Sequence, residues 1–180
     1  MRIKLLKNYL INFIIFPNLI FLSGCSSIVE LIEKKVARQC DSNVRSDNWH
    51  NCEGYKSFSS GSIYQGYFRN GKFDGEGTYK WPNGDEYKGE WDNGNRTGEG
   101  TYKWPNGNVY KGEWVNDKRS GEGTLTWSNG DVYRGEWVND KQSGEGTLTW
   151  SNGEEYQGYF RNGKFDGEGT YKWPNGNVYK

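Results

Sequence analysis

Tyr110–Val132 reads YKGEWVNDKRSGEGTLTWSNGDV, and this 23-residue pattern runs head to tail in five copies, starting at Tyr64, Tyr87, Tyr110, Tyr133 and Tyr156. Tyr179 and Lys180 open a sixth. A fixed period in this range marks a repeat array, in which each unit buries its apolar face only against its neighbours. Reading one unit therefore decides the architecture of residues 64–180.

Within a unit the apolar residues alternate. In the second copy Tyr87, Gly89 and Trp91 fall on one side of an extended segment, and Lys88 and Glu90 on the other. Gly98, Gly100, Tyr102 and Trp104 alternate with Glu99, Thr101 and Lys103. A period of two means strand. The recurrent glycines, at about 1 kcal/mol each in a helix interior, argue against helix. Asn83-Gly84, Asn106-Gly107, Asn129-Gly130, Asn152-Gly153 and Asn175-Gly176 recur in register. Asn-Gly predicts a two-residue hairpin turn with positive φ at both central residues. The other joint, such as Val115 to Ser120, predicts a longer, looser loop. Each repeat then supplies two antiparallel strands, and the array is a long meander.

The two faces differ. One carries Tyr, Trp, Phe and Gly, and the other Lys, Glu, Thr and Arg. The charged face reads as solvated, with cross-strand pairs worth about a few tenths of a kcal/mol each. The aromatic face must be covered. Glycines beside the aromatics predict rings lying over bare backbone and a tightly curled sheet. The candidate interaction face comprises Tyr87, Trp91, Trp104, Tyr110, Trp114, Trp127, Tyr133, Trp137, Trp150 and Trp173.

The unit Tyr-x-Gly-x-Trp, with Gly-x-Gly and Asn-Gly behind it, resembles the MORN family of repeats, and the match covers Tyr64 to Lys180. The resemblance implies an elongated, twisted, single-layer antiparallel sheet. It also implies an interaction or scaffold module, with a phospholipid link in some members. Phe68 and Phe160 replace Trp, Leu125 and Leu148 replace Tyr, and Asp117 and Asp140 stand where other copies carry Gly71, Gly94 and Gly163. The aspartates put the loop conformation of those two copies in question.

Composition agrees with a folded array. Aromatic residues make up 17% of the chain and recur periodically, which opposes disorder. The net charge of +0 gives no electrostatic reason to expect nucleic acid.

The chain before the repeats reads differently. Arg2, Lys4 and Lys7 precede an apolar run from Tyr9 to Leu22, the pattern of a secretory signal over residues 1–24. The run ends in Leu22-Ser23-Gly24-Cys25, which resembles a bacterial lipobox with Cys25 as the acylated residue. An uncleaved anchor is the competing reading, opposed by Asn12, Pro17 and Asn18 within the run. The lipobox resemblance implies a lipid-anchored protein of the bacterial envelope, and Ser26 after the cysteine implies sorting to the outer membrane.

Residues 25–51 read as a lipid-anchored linker. Ser27 to Gln39 predicts a short helix, with capping-box spacing at Ser27 and Glu30 and a stripe of Ile28, Leu31, Ile32 and Val36. Assigning Cys25 to lipid leaves Cys40 and Cys52 as a pair in an oxidising compartment, a natural disulfide. It would close a loop of 11 residues holding Trp49 and His50, worth about 2–3 kcal/mol by chain entropy. A metal site on Cys40, His50 and Cys52 competes but lacks a fourth ligand. Residues 52–180 form the array: a degenerate half repeat at 52–63, five full repeats at 64–178 and the start of a sixth at 179–180. In the half repeat Gly61 falls on the turn glycine, Phe58 on the second Trp, Gly54 on the second Gly and Cys52 on the first.

No catalytic constellation stands out, and no cofactor or metal is implied. His50 is the sole histidine, and the carboxylates recur at every period where catalysis needs one special pair. Gly-Glu-Gly-Thr precedes no helix, so it is not a phosphate loop. Two function classes remain. One is a lipid-anchored, non-enzymatic interaction or structural protein, with an unknown protein partner or self-association through the open C-terminal edge. The other is a cell-wall glycan-binding or membrane-phospholipid-binding module. Burial of Trp104, Trp127 and Trp150 under their own sheet would remove the platform for sugar stacking. Residues 64–84 and 156–176 are identical, a mark of recent duplication that fits binding or spacing better than catalysis.

Overall fold

A computed structural model describes residues 38–180. The expected signal segment, Cys25 and all of the expected helix except Arg38 and Gln39 lie outside the described residues. Gln39 itself is not helical and forms a parallel bridge with Glu53. Twelve strands follow: β1 (Cys52–Ser57), β2 (Ile63–Arg69), β3 (Lys72–Lys80), β4 (Glu86–Asp92), β5 (Asn95–Lys103), β6 (Val109–Val115), β7 (Lys118–Thr126), β8 (Val132–Val138), β9 (Lys141–Thr149), β10 (Glu155–Arg161), β11 (Lys164–Lys172) and β12 (Val178–Tyr179). Each pairs antiparallel with the next, in chain order, giving one open meander. A 3₁₀ turn at Ser46–Asn48 is the only helical element among the described residues.

The joints exchange the roles expected of them. The tight two-residue turns are Asn70-Gly71, Asn93-Gly94, Asn116-Asp117, Asn139-Asp140 and Asn162-Gly163, with φ positive at both residues. Asn116 and Asp117, for example, take φ of 49° and 67°. The aspartates thus keep the conformation that glycine holds in the other copies, because Asn and Asp tolerate the left-handed region better than other side chains. The joints at Asn83-Gly84 and its equivalents are wider. Gly84 N–H bonds to Trp81 O (3.0 Å), and Trp81 N–H to Asp85 O (2.9 Å). Only the glycine has positive φ there. This is a type I turn followed by a left-handed glycine. Pro82 suits the second position of a type I turn but is not required, since the same turn forms at Trp127–Gly130 and Trp150–Gly153 with Ser128 and Ser151 in its place.

Register places one glycine per strand in a continuous row. Gly54, Gly66, Gly77, Gly89, Gly100, Gly112, Gly123, Gly135, Gly146, Gly158 and Gly169 are successive cross-strand partners. Beside this row each of the five hairpins closed by a tight turn bulges. In β6 and β7 the register passes from Gly112↔Gly123 to Trp114↔Arg119, so Glu113 faces Ser120, Gly121 and Glu122 together. Such a bulge bends the strand and increases its twist. The bulge also moves one expected side chain position. Gly98 was expected beside the aromatics, yet a Cβ there would run into the Glu90 carboxylate on the charged face.

The core is one file of rings along the array. Tyr87 meets Trp91 edge-on at 5.1 Å and the next repeat's Trp114 at 5.2 Å. Tyr110 meets Trp114 at 5.4 Å and Trp137 at 5.2 Å. Tyr133 continues to Trp137 and Phe160. Edge-to-face contacts suit the ring quadrupole and add to the burial of apolar area. Each tyrosine hydroxyl is satisfied locally: Tyr87 donates to Glu90 O (3.1 Å), Tyr110 to Glu113 O (3.2 Å) and Tyr133 to Glu136 O (3.0 Å).

Candidate interaction surfaces

The ring file splits the predicted interaction face in two. Tyr87, Trp91, Tyr110, Trp114, Tyr133 and Trp137 are buried. They are core, which corrects their assignment to an interaction surface. Their indole groups also bond inward: Trp91 Nε1 donates to Gly77 O (3.2 Å), Trp114 to Gly100 O (3.4 Å) and Trp137 to Gly123 O (3.3 Å). The missing signal was register. Alternation alone cannot say which of two aromatic rows lies under the bulges.

Trp104, Trp127 and Trp150 are half-buried, and Trp173 is 39% exposed. They form a rim beside the wider turns. Trp81 and Trp104 flank Tyr102, with centroids 5.5 and 4.6 Å away. Leu125 and Leu148 interrupt this outer succession, which resumes as Trp150, Tyr171 and Trp173. The sheet therefore covers the rim only in part.

The charged face is a set of straight rows. Thr78, Lys88, Thr101, Lys111, Thr124, Arg134 and Thr147 are successive partners across the sheet. Adjacent strands are about 4.8 Å apart, so the cations recur at roughly twice that interval. The neighbouring row is acidic, with Glu76↔Glu90, Glu99↔Glu113 and Glu122↔Glu136 directly opposed. This corrects the expectation of favourable charge pairs, because like charges directly opposite one another repel. The second member of each pair turns aside to the bulge: Glu90 Oε1 accepts from Glu99 N–H (3.2 Å), Glu113 Oε1 from Glu122 N–H (3.0 Å) and Glu136 Oε1 from Glu145 N–H (3.3 Å). Attractive pairs sit off this row. Glu86 lies between Lys80 (3.1 Å) and Lys103 (3.4 Å), and the Lys80 bond leads in holding its carboxyl below the usual range.

A clamp between successive repeats was missed in the sequence. Asp117 Oδ1 accepts from Arg96 N–H and Nε (both 3.0 Å), and Arg96 Nη2 donates to Asp117 O (2.8 Å). Arg119 and Asp140 repeat the arrangement at 3.1, 3.1 and 2.9 Å. Each guanidinium also lies over a buried indole, Arg96 over Trp114 and Arg119 over Trp137, both at 4.4 Å. The signal was present: in both copies the arginine precedes the aspartate by 21 residues.

Cys40 and Cys52 are joined as a disulfide at the start of the array. Their sulfurs are bonded to each other and offer no thiolate to a metal. His50 Nδ1 accepts from Asn70 N–H (3.3 Å). Among the described residues no three His, Cys, Asp or Glu side chains gather as a metal cluster. Cys25 lies outside the described residues.

Five consecutive segments, 64–86, 87–109, 110–132, 133–155 and 156–178, match the MORN repeat. The chain belongs to the MORN repeat family. The bulged hairpins, the glycine row and the ring file described above are thus the structure of a MORN array. No curated protein matches the chain. Among solved structures, the TCP domain of Drosophila melanogaster SAS-4 (dCPAP), in complex with a proline-rich motif of Ana2 (dSTIL), is similar at 13% identity. That similarity covers 69% of this chain and 68% of the other, with a TM-score of 0.46.

Proposed function

We propose that this MORN array is a non-enzymatic scaffold that presents its charged face to a protein partner, held at the bacterial envelope by lipid on Cys25. MORN repeats are modules for protein or membrane interaction. The observation that carries the reading is the unbroken register of the charged face, where the Thr78-to-Thr147 row meets any ligand with the same chemistry at each repeat. A long, repetitive surface favours an extended partner over a small substrate.

A second reading is favoured by the half-exposed rim of Trp104, Trp127 and Trp150. Partly exposed indoles stack on sugars or seat at a lipid interface. One experiment separates the two. The lipidated protein is crosslinked in native envelopes and captured, alongside a charge reversal (Lys88→Glu, Lys111→Glu, Arg134→Glu) and a rim variant (Trp104→Ala, Trp127→Ala, Trp150→Ala). A protein lost only by the charge reversal supports the scaffold. Loss of envelope glycan or phospholipid only by the rim variant supports the second reading. In the same cells Cys25→Ser should leave an unprocessed precursor without lipid mass, and a soluble mature protein would remove the anchor from the proposal.

A further inference from the structure

Phe68 needs a cover that the repeats do not supply. Elsewhere the ring at this position packs edge-on against the preceding repeat's tyrosine, as Trp91 does on Tyr64 (5.5 Å), Trp114 on Tyr87 and Phe160 on Tyr133 (4.9 Å). No full repeat precedes Phe68, yet it is fully buried. Trp49 fills the place, edge-on at 4.9 Å and 83°.

The imitation extends to the backbone. Gly94 N–H bonds to Phe73 O (2.9 Å), Asp117 N–H to Arg96 O (3.1 Å), and Gly71 N–H in the same way to Trp49 O (2.7 Å). Gly54 opens the glycine row. A Cβ there would meet the Trp49 ring at 2.8 Å and Cys40 Sγ at 2.9 Å. Later glycines of the row, such as Gly123, meet a tyrosine ring instead. Cys40 N–H bonds to Glu53 O (2.7 Å) and Glu53 N–H to Arg38 O (2.8 Å), so residues 38–40 occupy the outer edge of β1. Residues 38–51 thus act as a cap, a non-repeat segment folded into the place of a preceding repeat. Repeat arrays need such caps where the stacking stops.

Besides these backbone bonds, Tyr67 donates to Asn51 Oδ1 (3.2 Å) and Asn70 N–H to His50 Nδ1 (3.3 Å), but the cap buries little of its own. Its 3₁₀ turn buries no residue, Val44 is exposed, and the Trp49 indole bonds within the segment, to Asp41 O (3.0 Å) and Val44 O (3.1 Å). The disulfide is its one side-chain covalent link to β1. Cys52 is 2% exposed and Cys40 is half-buried, so of the two residues Cys40 is the more open to solvent.

We propose that the Cys40–Cys52 disulfide is a redox latch on this cap, and that its reduction uncovers the edge of β1. The reductant is a dithiol. Its thiolate attacks Cys40 Sγ, the S–S bond breaks, and the electron pair leaves on Cys52 Sγ, which takes a proton. The second thiol of the reductant then displaces Cys40 as a thiol and closes the reductant's own disulfide, so two electrons and two protons pass to the protein.

Hydrogen exchange on the 180-residue chain, oxidised and after treatment with dithiothreitol, tests this. The expected result is faster exchange at the outward-facing amide of Glu53 and across Cys52–Ser57, on the order of 100-fold, the factor a closed loop of this size contributes. Exchange in β6 to β9 should not change. The double variant Cys40→Ser, Cys52→Ser should show the reduced pattern in either buffer. Equal protection of β1 in the oxidised and reduced chains overturns the proposal, since the cap would then hold without its latch. An increase shared equally by β6 to β9 overturns it too, because the disulfide would then stabilise the whole array.

Discussion

The Tyr110 ring lies directly against the backbone of Gly123: a Cβ added there would fall 2.7 Å from both Cε2 and Cζ of the ring. On its other flank the same hydroxyl is 2.8 Å from the place a Cβ on Gly112 would take. Gly112 and Gly123 are cross-strand partners, so one ring occupies the space that two side chains would fill.

Gly123→Ala should therefore destabilise the array by about 1–3 kcal/mol, the usual cost of overpacking. The adjacent Thr124→Ala, on the charged face, should stay within about 0.5 kcal/mol. Urea unfolding of the two variants gives the comparison. Similar losses from both would mean that the ring and the glycine row do not fix the fold.

The two tryptophan rows should separate in the same assay. Trp137 is 3% exposed and gives its indole N–H to Gly123 O. Trp137→Ala should cost about 3–5 kcal/mol. Trp127→Ala, at the half-buried rim, should cost clearly less. Equal costs would place the rim in the core and take away the partly exposed surface.

The clamp between Arg96 and Asp117 predicts a coupling. Charge-assisted bonds are strong, but Asp117 is 46% exposed and solvent weakens the pair. A double-mutant cycle of Arg96→Ala and Asp117→Gly should give about 1 kcal/mol of interaction energy. Glycine is the right replacement because φ at Asp117 is 67°. Asp117→Ala should be worse than Asp117→Gly, since alanine adds backbone strain to the lost bonds. A coupling near zero would show that the clamp only decorates the surface.

Alkaline pH should weaken the core. Burial pushes the hydroxyls of Tyr64, Tyr87, Tyr110 and Tyr133 well above the ordinary phenol value. Tyr102 is pushed up to about 12, by burial first and then by the Asp85 carboxylate. Folding thus favours the protonated form. Its contribution is fully present below about pH 10, the ordinary phenol value, and is lost as pH rises through the folded values. Melting temperature should fall steeply above about pH 10, in step with phenolate absorbance. Tyr133→Phe should soften that fall and cost about 1 kcal/mol at neutral pH through the lost bond to Glu136 O. A melting temperature that does not change across this window would contradict the burial.

Much of the fold was legible because the repeat states it five times. Alternation in Tyr87-Lys88-Gly89-Glu90-Trp91 requires strands, and identical units in series require a meander. The turn at Gly61 follows the same pattern, since Gly61 N–H bonds to Phe58 O as Gly84 N–H does to Trp81 O.

What the tertiary structure decided turns on contacts between units, which no single unit contains. Asn-Gly occurs at both joints of a hairpin, as in Asn70-Gly71 and Asn83-Gly84. Which joint closes tightly depends on the strand register and not on the dipeptide, since the wide turn forms with Pro82 and with Ser128 alike. The bulge at Gly121 then turns one aromatic row inward and leaves the other at the rim, a choice that period-two alternation cannot express. Trp49 belongs to no repeat, and its role as stand-in for a missing tyrosine follows only from where the chain folds back on Phe68. Sequence alone determined the unit and its two faces, because local alternation and turn chemistry act within a few residues. The side-chain packing that joins one unit to the next spans about 20 residues of chain and acts through space, so only the folded array shows it.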